Sequence, residues 1–190
     1  LSVACAHSEK TLTVGTRERR SVFKEKLFAL KGGDRVKILG PFGSFLLHHN
    51  TKKPAILIAG GIGITPVMSR VQESLNYSHV LTPRFNLGNQ IVLFYSNHAV
   101  EDAAFLDELG EMASRHKSFA FVPTLTEPNK KWRGEKGRID TKMLTTYLKG
   151  PKNKIFYIAG TLSFVVGVQG VLLNLGVPDD NIRTDEFPGY

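Results

Sequence analysis

The chain has 190 residues, 42% hydrophobic and 22% charged, which supplies enough apolar side chain for a folded core and excludes a disordered or fibrous chain. Its single cysteine, Cys5, excludes a disulfide framework and any zinc or iron–sulfur site built from several thiolates of this chain, and points to a reduced, cytoplasmic setting. The net charge of +8 is concentrated at the front: residues 1–53 carry eleven Lys/Arg against four Asp/Glu, and the remainder fourteen against thirteen. A basic front suits a phosphorylated cofactor or an acidic protein partner, and no nucleic-acid-binding motif accompanies it.

The opening "LSVACA" has neither the charged start nor the apolar length of a signal peptide. "LSVA", "LTVGT" (12–16), "RVKILG" (35–40) and "SFLLH" (44–48) read as short antiparallel strands, with "SVFKEKLFAL" (21–30) as a short helix between them. Four such strands do not close a barrel, so an open sheet edge is expected. His48 and His49 have no third ligand at zinc spacing, and no metal site is expected.

After Pro54 the pattern changes. "AILIA" (55–59), "IVLFYS" (91–96), "FAFVPT" (119–124) and "IFYIA" (155–159) are apolar runs, each closed by glycine or polar residues. Helical periodicity fills the gaps: Met68, Val71 and Leu75 share a face, as do Phe105, Leu109 and Met112. Residues 140–148 and 162–176 supply two more helices, and "NIRTDEF" (181–187) a last edge strand. Alternating strand and helix implies a parallel sheet covered on both faces. Ile155 to Val177 are 23 residues without a charge, long enough for a membrane span of about 20 residues. The interruptions at Gly160, Gly167, Gln169, Gly170 and Asn174 instead favour a buried strand followed by a buried helix, with no membrane span.

The stretch "AGGIGITP" (59–66) forms the first strand-to-helix turn of this array. Such a turn directs backbone N–H groups and the positive end of a helix dipole outward, where a phosphate can bind. Gly60 and Gly61 permit a tight turn, Gly63 removes a Cβ that would block a ligand, Thr65 can cap, and Pro66 suits a first helical turn. The pattern is neither G-x-G-x-x-G nor a P-loop, so the turn alone names no cofactor; a purely structural glycine turn is the other reading.

"AGGIGITP" (59–66), preceded by "GPFGSF" (40–45), followed by "VLFYSN" (92–97) and ending in "DEFPGY" (185–190), closely resembles the ferredoxin–NADP reductase-like flavoenzymes along the whole chain. The resemblance implies an incomplete antiparallel FAD-binding β-barrel in residues 1–50, followed by a Rossmann-like parallel α/β NAD(P)-binding domain in residues 54–190. Hydride would pass from a nicotinamide to FAD, and electrons on to a separate acceptor such as ferredoxin, flavodoxin or an oxygenase, acidic to match the basic front. "LSVA" resembles the end of the family's Arg-x-Tyr-Ser flavin segment, with Leu1 at the aromatic position, Ser2 near the reactive flavin nitrogen and Val3 beside it. The arginine of that segment would precede Leu1, so the barrel is expected to be incomplete.

"TRERRSVFKEKL" resembles the second flavin-phosphate segment, with Arg17, Ser21, Phe23 and Lys24 as contacts. Arg19 and Arg20 are as well explained by a solvated turn. Phe187 or Tyr190 would lie on the flavin, with Glu186 as a proton relay. Gly60, Gly61, Gly63, Thr65 and Pro66 match the pyridine-nucleotide turn, and Ser96 and Asn97 the adenosine ribose site. With no acidic residue at 96–98, and with His98, Lys130, Lys131 and Arg133 nearby, NADPH is expected, NADH being the other choice. Gly160 and Thr161 stand at the nicotinamide end, where "AGTLSF" replaces the family's Gly-Pro. A non-catalytic pyridine-nucleotide-binding module is the other function the sequence allows.

Overall fold

The computed structural model describes every residue except 7, 19, 20, 41, 49, 51, 77–90 and 188–190. Strand β3 (Ala55–Gly60) is apolar at every position and buried from Ala55 through Ala59, because it is covered on both faces. It pairs in parallel with β4 (Ile91–Asn97) on one side and with β7 (Ile155–Thr161) on the other. Beyond β4 lie β5 (Phe119–Leu125) and the two-residue β6 (Glu135–Lys136); beyond β7 lies β8 (Ile182–Phe187). All six strands are parallel, in the order β6-β5-β4-β3-β7-β8.

Helix α2 (Ile64–Asn76) and helix α3 (Leu106–Arg115) cover one face, with Val67, Met68, Val71 and Leu109 packed on Leu57, Leu93, Tyr95 and Tyr157. Helix α4 (Thr141–Tyr147) and helix α5 (Leu162–Asn174) cover the other, with Met143, Leu144, Val165 and Leu172 on Ile56, Ile58, Phe94 and Phe156. Each such Leu or Ile contributes roughly 1.5–3 kcal/mol through burial. The chain leaves β3 towards β4, then crosses to β7 on the opposite side, so the strand order reverses between β3 and β7. That reversal opens a crevice at the carboxyl ends of these two strands.

The expected elements after Pro54 are all present, with one division: residues 101–116 form a 3-10 turn (Val100–Asp102) and then α3, parted at Phe105, whose φ of 60° breaks the helix. Residues 155–177 resolve into β7 and α5, and among the described residues no helix is long and apolar enough to cross a membrane.

The front half corrects two expectations. Strand β1 (Ser2–Val3) pairs antiparallel with β2 (Val14–Gly15), and helix α1 (Val22–Ala29) forms, but residues 35–40 and 44–48 are irregular. Alternating apolar side chains do not make a strand without a ladder partner. Val36, Ile38 and Leu39 are exposed, whereas Phe45 and Leu47 turn away to pack on the α2 face of the sheet. The Phe45 ring stands edge-on to Tyr157 at 5.7 Å, and the Tyr157 hydroxyl accepts from the His48 backbone N–H at 2.7 Å.

Candidate nucleotide site at the strand-order reversal

β3 runs into a 3-10 turn (Gly61–Gly63) and then α2; β7 runs directly into α5. The amino ends of two helices on opposite faces therefore converge on one crevice, each contributing unpaired N–H groups and a positive dipole end. Gly61 adopts φ +53°, which a side chain rarely tolerates. At the head of α5, Thr161 is the N-cap, its Oγ1 accepting from the Phe164 N–H at 3.3 Å. A hydroxyl thus starts the helix where the family places proline.

The glycines serve different neighbours from those expected. A Cβ on Gly63 would overlap the Ala159 carbonyl of β7, so Gly63 allows the turn to pack on the adjacent strand and does not clear space for a ligand. Gly60 and Gly160 lie beneath the Phe164 ring: a Cβ on Gly60 would come within 2.7 Å of that ring, and one on Gly160 within 2.8 Å. Thr65 is buried, and its hydroxyl donates to the Ile62 carbonyl at 3.0 Å, so it does not cap. Pro66, also buried, sits in the first turn of α2, where its missing N–H costs nothing. β2 lies on this helix start: a Cβ on Gly15 would overlap the Thr65 methyl.

Arg17 follows β2 and has its partners in the α/β half. Its Nη2 is 3.6 Å from Asp102 Oδ1 and would be 3.3 Å from a Cβ on Gly61. Arg17, expected to pair with a flavin phosphate, thus stands over the glycine turn. Ser21 caps α1, its Oγ accepting from the Lys24 N–H at 3.2 Å, while Phe23 is exposed. Leu1 and Val3 are exposed and Ser2 is half-buried on β1.

At the end of β4, Ser96 and Asn97 alternate. Ser96 falls on the α4/α5 side beside Gly60, and Asn97 on the α2 side below Tyr95. Asn97 is 6% exposed, and neither its amide atoms nor the buried Tyr95 hydroxyl makes a hydrogen bond of ordinary length; the Asn97 side chain and the Ala104 backbone are the polar groups nearest that hydroxyl. Burial pushes the Tyr95 phenol up to about 12, against the lowering influence of Asn97 and the Arg17 charge. Buried polar atoms without a full hydrogen bond cost about 1–3 kcal/mol each, and hydroxyl or phosphate oxygens of a ligand are groups that would satisfy them. The His98 ring is tied to Thr126 Oγ1 at 3.0 Å, and Lys130, Lys131 and Arg133 are exposed.

On β8, alternation separates two residues expected to act together. Phe187 packs with the α2-face cluster, whereas Glu186 is exposed and belongs to the opposite face. Asp185, which the sequence pattern does not single out, shares the Phe187 face, and burial raises its carboxyl above the ordinary 3.8. Tyr190, Arg19 and Arg20 lie outside the described residues. Asp102, Tyr95 and Phe164 were also missed, since nothing local marks them; Gly15, an isolated glycine in a strand pattern, did carry a signal of close backbone approach.

A family profile described as an oxidoreductase NAD-binding domain matches residues 57–170. One subunit of the Na(+)-translocating NADH-quinone reductase of Marinomonas sp. (strain MWYL1) is 29% identical over 168 residues, covering 86% of this chain and 39% of the relative. The chain thus spans about two fifths of the length of such relatives. The FAD/NAD-binding domain of nitric oxide dioxygenase from Vibrio cholerae superposes with a TM-score of 0.79 at 19% identity, covering 98% of this chain and 75% of that one. A ferredoxin NADP+ reductase from Neisseria gonorrhoeae gives a TM-score of 0.71 at 20% identity, covering 97% and 78%. With the switch-point crevice, the glycine turn and these matches together, the chain belongs to the oxidoreductase NAD-binding domain family and has the fold of the ferredoxin reductase-like FAD/NAD-binding flavoenzymes.

Proposed function

We propose that this chain is the hydride-accepting part of a flavin-dependent NAD(P)H oxidoreductase, with residues 1–50 ending an FAD-binding barrel and residues 54–190 forming the nicotinamide-nucleotide domain. The observation that carries the reading is the reversal of strand order between β3 and β7, where two helix starts converge at the carboxyl ends of adjacent strands beside the buried Asn97 and Tyr95. Gly60, Gly61 and the first turn of α2, with Gly63, Thr65 and Pro66 shaping it from within, would hold the pyrophosphate. Ser96 and Asn97 would read the adenosine ribose, and Gly160 and Thr161 would border the nicotinamide. Leu1, Ser2, Val3, Ser21, Phe23, Lys24 and Phe187 would contact the flavin. FAD, when bound, accepts a hydride and releases its electrons one at a time.

We take NADH as the donor. The expectation of NADPH rested on the lack of an acidic residue at 96–98 and on His98, Lys130, Lys131 and Arg133, of which His98 is engaged by Thr126 and the others are exposed. The relatives, moreover, are NADH-quinone reductase subunits by name. Asp185, on the Phe187 face with a raised pKa, is a better candidate than Glu186 for balancing charge near the flavin. Ser2 remains the candidate beside the reactive flavin atom. The acceptor is a separate electron carrier, oxygenase component or quinone-reducing partner, and the basic front half would favour an acidic one.

The test is an anaerobic titration of the FAD-loaded chain with NADH, and in parallel with NADPH, followed by flavin absorbance. Bleaching by NADH at lower concentration than by NADPH is the expected result. A chain that binds NADH calorimetrically but never retains FAD would be a nucleotide-binding module, a reading favoured by the few buried residues of the front half, Ala4, Cys5 and Ala6 among those described. No binding of either nucleotide would overturn both.

A further inference from the structure

Resting on that reading of the crevice, we infer that Arg17 is the pyrophosphate-binding cation of the pyridine nucleotide, supplied to the nucleotide domain by the front half of the chain. The residue reaches the turn through a fixed sequence of contacts. Gly15 lies flat against the Thr65 methyl, which pins the end of β2 to the start of α2. Two residues on, the Arg17 Nη2 stands over Gly61, 3.3 Å from where a Cβ would be, so the glycine makes room for the guanidinium as well as for the turn.

The Asp102 contact does not by itself explain this placement. Its 3.6 Å separation exceeds a hydrogen bond, and both side chains are about a third exposed, at 34% and 39%, so the pair contributes little to stability. Asp102 also accepts from the Ala99 N–H at 3.3 Å, which fixes it as a post that orients the guanidinium. A second observation points to a ligand at the same place. Asn97, nine-tenths buried, ends β4, the strand that abuts the Gly61–Gly63 turn, and its amide makes no hydrogen bond of ordinary length, the Tyr95 hydroxyl being its polar neighbour. Arg17, Asn97 and Tyr95 lie near enough to one another, at the α2 start, for Asn97 and the Arg17 charge to lower the Tyr95 phenol against its burial, with the Asp102 carboxylate beside them. We take this cluster as the place of an anion with further oxygen atoms. A pyrophosphate between two riboses has that composition, and a planar guanidinium matches phosphate oxygens in pairs.

Calorimetric titration of NADH, NADPH, ADP-ribose and FAD into the wild-type chain and into Arg17→Gln and Arg17→Lys separates the possibilities. Arg17→Gln is expected to weaken NADH, NADPH and ADP-ribose by the same factor, about tenfold to a hundredfold, with FAD affinity unchanged and Arg17→Lys recovering part of the loss. Equal nucleotide affinity in Arg17→Gln overturns the inference and leaves the proposed function standing. So does a selective loss of FAD, which would return Arg17 to the flavin phosphate. A loss for NADPH alone would place Arg17 at the 2′-phosphate and also overturn it. Wild-type chain that binds none of the three pyridine-nucleotide ligands overturns the proposed function, and this inference with it.

Discussion

Gly63 shows how one residue can be recognised by type and misread by role. A glycine after a strand and before a helix suggests a ligand pressed against the backbone, and on that reading Gly63→Val would abolish nucleotide binding in a folded chain. Its missing Cβ faces the Ala159 carbonyl instead. Neither partner is a flexible side-chain end, so the turn and β7 must separate to admit a methyl group. Gly63→Ala is therefore expected to cost about 1–3 kcal/mol, and Gly63→Val more, lowering the melting temperature by several degrees in a domain of this size. Thermal melts of the two variants without nucleotide check this. An unchanged melting temperature would return Gly63 to the ligand.

At the scale of elements, the helices were legible from periodicity, whereas their caps were not: Thr65, named as a cap, bonds back to Ile62, and others do the capping. Ser21, Asp140 and Thr161 each cap the helix that follows, with Asp140 Oδ1 accepting from the Met143 N–H at 2.7 Å. Thr161→Ala is expected to cost about 1 kcal/mol, a fall of about 2–4 °C in melting temperature, because α5 then begins with an unpaired donor at the crevice. Differential scanning calorimetry would detect it, and Thr161→Ser should restore most of the loss. Strands in the front half were less legible. The alternation of residues 35–40 and 44–48 fits a strand, but their structure depends on partners the pattern cannot name, and Phe45 and Leu47 found theirs on the α/β sheet.

At the scale of the whole molecule, the two halves are joined through His48 and Tyr157. His48 Nε2 lies 2.8 Å from the Lys53 carbonyl, which can only accept, so Nε2 carries the proton. Nδ1 then accepts from the Tyr157 hydroxyl at 3.0 Å, while Arg183 stands over the Tyr157 ring at 5.4 Å and donates to the Leu46 carbonyl. Burial holds the His48 imidazole below its ordinary 6.5, an effect reinforced by the charges of Arg183 and Lys53 and opposed by its carbonyl bond to Lys53. The sign follows: the unfolded chain binds the proton more readily, so this contribution is present above pH 6.5 and declines as pH falls below it. Protonation would also turn Nδ1 from acceptor to donor against the tyrosine hydroxyl. Melting temperatures measured across that range should fall more steeply for the wild type than for His48→Gln. Parallel profiles would remove His48 as the cause.

The strands and helices after Pro54, their order, and the glycine turn at the head of α2 were determined by the sequence alone, because periodicity, capping and turn chemistry act between residues a few positions apart. The reversal of strand order between β3 and β7 became visible only in the strand pairing. Tertiary structure alone decided which glycines face backbone and which face a ring, that Asn97 and Tyr95 are buried beside each other, and that Arg17 stands over the Gly61 turn. Each of these is a contact between segments tens of residues apart. Close packing selects such neighbours by shape, and no spacing along the chain records the choice.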